Sequence, residues 1–127
     1  MKFGKSVITG FAELPSAKSP EGQSALSLFA RLAREAAADA GLAKEQIDGL
    51  LVTVPVFGYS AFFPSVVADN LGLSLSYFDV VELGGASSAG MVWRAAAAIE
   101  AGMAKNVLCV TADLSGGEFT PFGMLLP

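Results

Sequence analysis

Three short apolar runs, separated by segments with helical spacing, limit what this chain can fold into. Residues 47–54 (IDGLLVTV) stop at Pro55, residues 77–83 (YFDVVEL) stop at Gly84-Gly85, and residues 106–112 (NVLCVTA) precede Asp113. Runs so evenly apolar are expected for strands covered on both faces rather than for half-wet ones. A shorter β-rich run, residues 6–11 (SVITGF), precedes them, followed by a loop over 15–22 rich in Ser, Pro and Gly. Between the runs, Ala25, Leu28, Phe29, Leu32, Ala36 and Ala40 recur at three- and four-residue spacing, with Ser24 placed to cap the start and Gly41 the end. A second helix is expected from about Pro64 to Leu71-Gly72, and a third from Ser87 to Ala101. The expected order is β-α-β-α-β-α-β. Helical crossovers between strands predict an α/β fold with a mostly parallel sheet and helices on both faces.

At 127 residues the chain is expected to form one domain over 1–127, with 113–127 as a terminal Gly/Pro-containing loop. Its residues are 53% hydrophobic and 16% charged, with a mean hydropathy of +0.55, so apolar surface is left over to meet other protein. No apolar run reaches the roughly 18 residues of a membrane-spanning helix. The amino terminus lacks the apolar core of a secretory signal, and a cytoplasmic location is expected. One cysteine, Cys109, and no histidine exclude an internal disulfide and argue against a metal site. A net charge of −4 without a Lys/Arg cluster argues against nucleic acid.

The segment VVELGGASSAG, residues 80–90, carries the candidate chemistry: a strand that ends in Gly84-Gly85 and opens a helix at Ser87-Ser88. Such a turn aims backbone N–H groups beyond the carboxyl edge of the sheet, where open α/β sheets bind ligands. A hydroxyl there is a weak nucleophile without a base, and the chain has no histidine, so Ser87 or Ser88 is expected to cap the helix instead. Gly84 and Gly85 serve either the turn or a close approach to a ligand. Cys109, inside VLCV, is expected to be a buried small hydrophobe. Asp69 and Asn70 are expected to act locally at a helix end, and Met91 and Trp93 in a core or an interface.

The pattern GLAKEQIDGLLVTVP, then DVVELGGASSAG, then AAAAIEAGMAKNVLCVTADL resembles the amino-terminal half of the thiolase superfamily, in particular its sterol-carrier, non-specific lipid-transfer branch. The resemblance implies the first half of a thiolase fold, with the chain a truncated product or a split subunit. It implies a coenzyme A thioester as ligand and no permanently bound cofactor. Aligning the helix end at residues 99–102 with the thiolase pattern puts the nucleophile position at Gly85, with Ala86 and Ser87 as neighbouring registers. None of these is a cysteine, so a covalent acyl-enzyme is not expected. What the turn could retain is oxyanion binding by backbone N–H groups at Gly84 and Gly85. The resemblance also puts Phe57, Tyr59, Phe62 and Phe63 near a subunit interface or acyl pocket.

Three functions follow. The first is a thiolase-like acyl-CoA-binding protein, related to acetyl-CoA acetyltransferases and lipid-transfer thiolases, without Cys-dependent acyl transfer. The second is a retro-aldol lyase of 3-hydroxyacyl-CoA thioesters working with an OB-fold partner. The third is a non-catalytic α/β interaction subunit. A homodimer, or a chain supplying the second thiolase half, is the expected partner. The isolated chain is expected to be inactive in thiolysis.

Overall fold

A computed structural model describes residues 4–15, 24–55 and 63–113. Its elements are α1 (Ala25–Ala40), a 3-10 turn (Lys44–Gln46), β1 (Gly49–Val52), α2 (Phe63–Leu71), β2 (Tyr77–Val80), a second 3-10 turn (Gly84–Ala86), α3 (Ser87–Glu100) and β3 (Val107–Val110). The three strands are parallel in the order β2-β1-β3, with Gly49 level with Tyr77 on one side and Val107 on the other. The chain moves from β1 to β2 and then back past β1 to β3. Crossovers of one hand therefore deliver α2 and α3 to opposite faces of the sheet.

Two cores result. Alternate residues of a strand point to opposite faces. Leu50, Val52, Leu108 and Val110 meet Phe29, Ala33, Phe63 and Val67 of α1 and α2, while Leu51 and Val81 meet Met91 and Ala95 of α3. All four residues of β1 are buried, as its uninterrupted apolar run requires. On the α1–α2 side the rings of Phe29 and Phe63 stand edge to face, 4.9 Å apart and at 86°. Such pairs contribute about 0.5–1.5 kcal/mol beyond area burial.

Local signals decide the element ends. Ser24 and Ser27 form a reciprocal capping box at the start of α1, each hydroxyl accepting the other's N–H at 3.1 Å. Gly41, at φ 69°, closes the helix in the left-handed conformation that glycine adopts without strain. At the amino edge of the sheet the Asp48 carboxylate accepts the N–H groups of Lys105 (2.9 and 3.0 Å) and Asn106 (2.8 Å), while its carbonyl accepts those of Ser76 and Tyr77. One residue thus ties the starts of all three strands together.

The α/β class expected from the alternation is the one observed, with one strand fewer among the described residues. Residues 6–11 form no strand there, and Val7, Ile8 and Phe11 are 70–77% exposed. A β-rich run becomes a strand only where a neighbour supplies its hydrogen-bond ladder. This run instead lies along α1: the Phe11 N–H donates to Asp39 Oδ2 at 2.8 Å, and Gly10 sits so close to Ala36 and Ala40 that a Cβ there would collide with them.

Candidate functional site

Each strand ends in a polar residue at the carboxyl edge: Thr53 after β1, Glu82 beyond β2 and Thr111 after β3. The Thr53 and Thr111 hydroxyls share a hydrogen bond of 2.8 Å, and the Val54 N–H donates to Glu82 Oε1 at 2.6 Å. Beside them the chain leaves β2, packs Val81 into the core under α3, and turns at Gly84 with φ 59°. The left-handed residue is Gly84, whereas Gly85 already has a backbone that other residues adopt. Gly84, Gly85, Ala86 and Ser88 are all exposed, so the turn faces solvent at the edge.

Ser87 is the buried member of the turn. Its hydroxyl donates to the Gly84 carbonyl at 2.8 Å and accepts the Leu83 N–H at 2.9 Å, which closes the turn from inside. This corrects the expectation that Ser87 or Ser88 caps α3: Ala86 occupies the cap position, and no side chain caps it. A serine in the first helical turn can satisfy groups that precede the helix as readily as its own N–H groups. With both its roles taken by the turn, the Ser87 oxygen is not presented as a nucleophile.

The backbone does present donors. None of the hydrogen bonds formed among the described residues uses the N–H of Gly84 or Gly85, while Ala86 and Ser87 donate back to Leu83 and Gly84. A Cβ built on either glycine meets nothing within 4 Å, so the space above the turn is open. Unpartnered N–H groups at the positive end of a helix suit an oxygen carrying negative charge.

The other singled-out residues lie elsewhere. Phe63 is buried in the α1–α2 core against Phe29 instead of lining a surface, because its position at the start of α2 points its ring inward; Phe57, Tyr59 and Phe62 lie outside the described residues. Cys109 faces α3 with its Sγ 3.8 Å from the Met91 carbonyl, and burial pushes its thiol up to about 11. Burial, followed by the Asp79 carboxylate, raises the Tyr77 phenol. Asp69 and Asn70 are exposed in the last turn of α2. Met91 is core and Trp93 is largely exposed on the outer side of α3. Among the described residues, no group of three or more His, Cys, Asp or Glu could hold a metal, and no helix is long and apolar enough to cross a membrane.

Sequence reasoning passed over Thr53, Glu82 and Thr111. The signal was present: each apolar run contains a polar residue one or two positions past the last paired strand residue.

No family model matches the chain. A steroid side-chain-cleaving aldolase from Thermomonospora curvata is 34% identical over 110 residues, 86% of this chain and 27% of that protein. The chain thus spans about a quarter of the length of the curated relative it matches. Among solved structures, the Ltp2-ChsH2(DUF35) aldolase superimposes with a TM-score of 0.64 at 35% identity, over 81% of this chain and 27% of that one. The 3-oxoacyl-[acyl-carrier-protein] synthase III of Aquifex aeolicus gives 0.59 at 21% identity over 73% of this chain and 30% of its own. A variant of OleA from Xanthomonas campestris, solved with lauric acid and lauroyl-CoA, gives 0.59 at 21% over 78% and 30%. The fold is thiolase-like.

Proposed function

We propose that this chain forms one wall of the active site of a retro-aldol lyase that cleaves 3-hydroxyacyl-CoA thioesters, acting with a second protein that carries an OB-fold. The observation that carries the reading is a solvent-facing turn with two unpartnered N–H donors and no cysteine, in a chain that is 34% and 35% identical to two aldolases over the parts that match. That combination favours retro-aldol cleavage over the acyl-CoA-binding and lipid-transfer reading that the thiolase resemblance put first. In the name of one likeness, an aldolase is joined to a second protein.

Retro-aldol cleavage needs no acyl-enzyme. The 3-hydroxyl loses its proton to a base, its oxygen becomes the carbonyl of the departing ketone, and the C2–C3 bonding pair passes to the thioester as an enolate. Protonation at C2 then gives a shortened acyl-CoA. The charge that develops is on the thioester oxygen, and the Gly84 and Gly85 N–H groups are the donors this chain offers to it. One such donor lowers a barrier by about 2.7–4 kcal/mol. The base and the acid come from protein outside this wall. Glycine at 85 keeps the thioester free to approach the backbone, where a cysteine would capture its acyl group.

The test incubates the protein and its OB-fold partner with 3-hydroxyacyl-CoA thioesters whose 3-hydroxyl is tertiary, one carried on a steroid ring and one on a short branched chain. The expected result is ketone and shortened acyl-CoA in equal amounts, with no mass added to the protein. Binding without cleavage, or an acyl adduct, would return the reading to a binding protein or an acyltransferase.

A further inference from the structure

The parallel ladder between β1 and β2 ends in an unusual way. Its last backbone bond runs from the Val81 N–H to the Val52 carbonyl at 2.9 Å. In a parallel pair with Val52 level with Val80, the next bond would run from the Val54 N–H to the Val81 carbonyl. The Val54 N–H instead donates to Glu82 Oε1 at 2.6 Å. A side-chain carboxylate has replaced a main-chain carbonyl. On its other side the β1 exit is held to β3, by the Thr53 N–H on the Val110 carbonyl at 3.4 Å and by the Thr53–Thr111 hydroxyl pair.

The replacement has a use. If β2 supplied the next acceptor from its backbone, its chain would have to stay extended beside β1. With Glu82 reaching sideways, the main chain is free at Leu83 to begin the turn that Gly84 makes and Ser87 closes, while β1 remains tied. We infer that Glu82 is a positioning residue: by holding Val54 it fixes the gap between the β1 exit and the Gly84–Gly85 donors, and so the place where a thioester oxygen can sit. This rests on the retro-aldol reading for its substrate, but the clip is a property of the chain alone. Glu82 is exposed, and at 2.6 Å its oxygen lies at the short end of the range for an N–H···O bond.

The experiment compares the wild-type protein with Glu82→Ala and Glu82→Gln by amide hydrogen exchange and by cleavage kinetics on the short-chain 3-hydroxyacyl-CoA thioester with the OB-fold partner. Glu82→Ala should speed Val54 amide exchange by about tenfold or more, since its protecting bond is gone. It should also lower kcat/KM by about 10- to 100-fold, the scale of an ångström-sized misplacement. Glu82→Gln keeps an oxygen acceptor and should restore most of both readouts. Unchanged Val54 exchange in Glu82→Ala would overturn the inference. So would a Gln variant as slow as the Ala variant with Val54 still protected, because the charge and not the tether would then matter. If the wild type cleaves no such thioester, the retro-aldol reading fails, and Val54 exchange in the two variants still decides whether the clip exists.

Discussion

Alanine placed at Gly84 and at Gly85 should act in opposite directions, although the two glycines are adjacent, equally exposed and equally open above the backbone. At Gly84, φ is +59°, a left-handed conformation that costs a residue with a Cβ roughly 1–2 kcal/mol. Against that stands the loss of unfolded-chain freedom when glycine is replaced, worth about 0.4–1 kcal/mol in favour of the fold. The net for Gly84→Ala is a destabilisation of about 1 kcal/mol. Gly85 lies in the 3-10 turn with an ordinary φ, and a Cβ there meets nothing within 4 Å, so only the favourable effect remains. Gly85→Ala is therefore expected to be neutral or to stabilise by up to about 1 kcal/mol. Urea unfolding followed by circular dichroism measures the pair. With a slope of about 2 kcal/mol per molar, the two midpoints should separate by about 0.5–1 M. A Gly85 variant that loses more than the Gly84 variant would refute the assignment of the elbow to Gly84, and with it the claim that position 85 can carry a side chain. Gly85→Cys extends the test. A thiol at this helix start should alkylate faster than free cysteine, because the helix terminus favours the thiolate.

Other outcomes follow from the same geometry. Asp48→Ala removes the carboxylate that accepts from Lys105 and Asn106; it should destabilise by about 2–3 kcal/mol, read from the same urea transition. Ser87→Ala leaves the Leu83 N–H without its acceptor and should cost about 1–2 kcal/mol while leaving α3 content unchanged by circular dichroism. Cys109 should resist iodoacetamide at pH 8 in the folded protein and react readily in urea. Its thiol rises from about 9 to about 11 on folding. A folded value raised above the unfolded one means that this contribution is whole below pH 9 and is lost as pH climbs towards 11. Cys109→Ala should flatten the fall in stability across that window.

Much of the fold was legible because its signals are local. The three apolar runs became β1, β2 and β3, the Ser24 and Gly41 signals became the ends of α1, and Pro64 stands in the first turn of α2. Residues 6–11 carry the same β-rich signature and form no strand among the described residues, since a strand is decided by a partner that the run itself does not encode. The candidate site was legible as a place and less so as chemistry. Two glycines before a helix marked the turn, yet which glycine is left-handed depends on how Val81 seats under α3. Ser87 looked like a cap by composition and proved to bond backward, into the turn. Glu82 gave no motif, because its role depends on where β1 ends relative to β2, a relation between residues 28 apart in sequence.

The β2-β1-β3 order also sets a schedule for the ribosome. The central strand is made first and its second neighbour last: Thr53 and Thr111, which close the sheet at one edge, are 58 residues apart. At about 5–20 residues per second, Leu50, Leu51 and Val52 wait roughly 3–12 s after synthesis before β3 exists to cover them. During that interval an apolar strand that is fully buried in the folded chain has one flank unpaired.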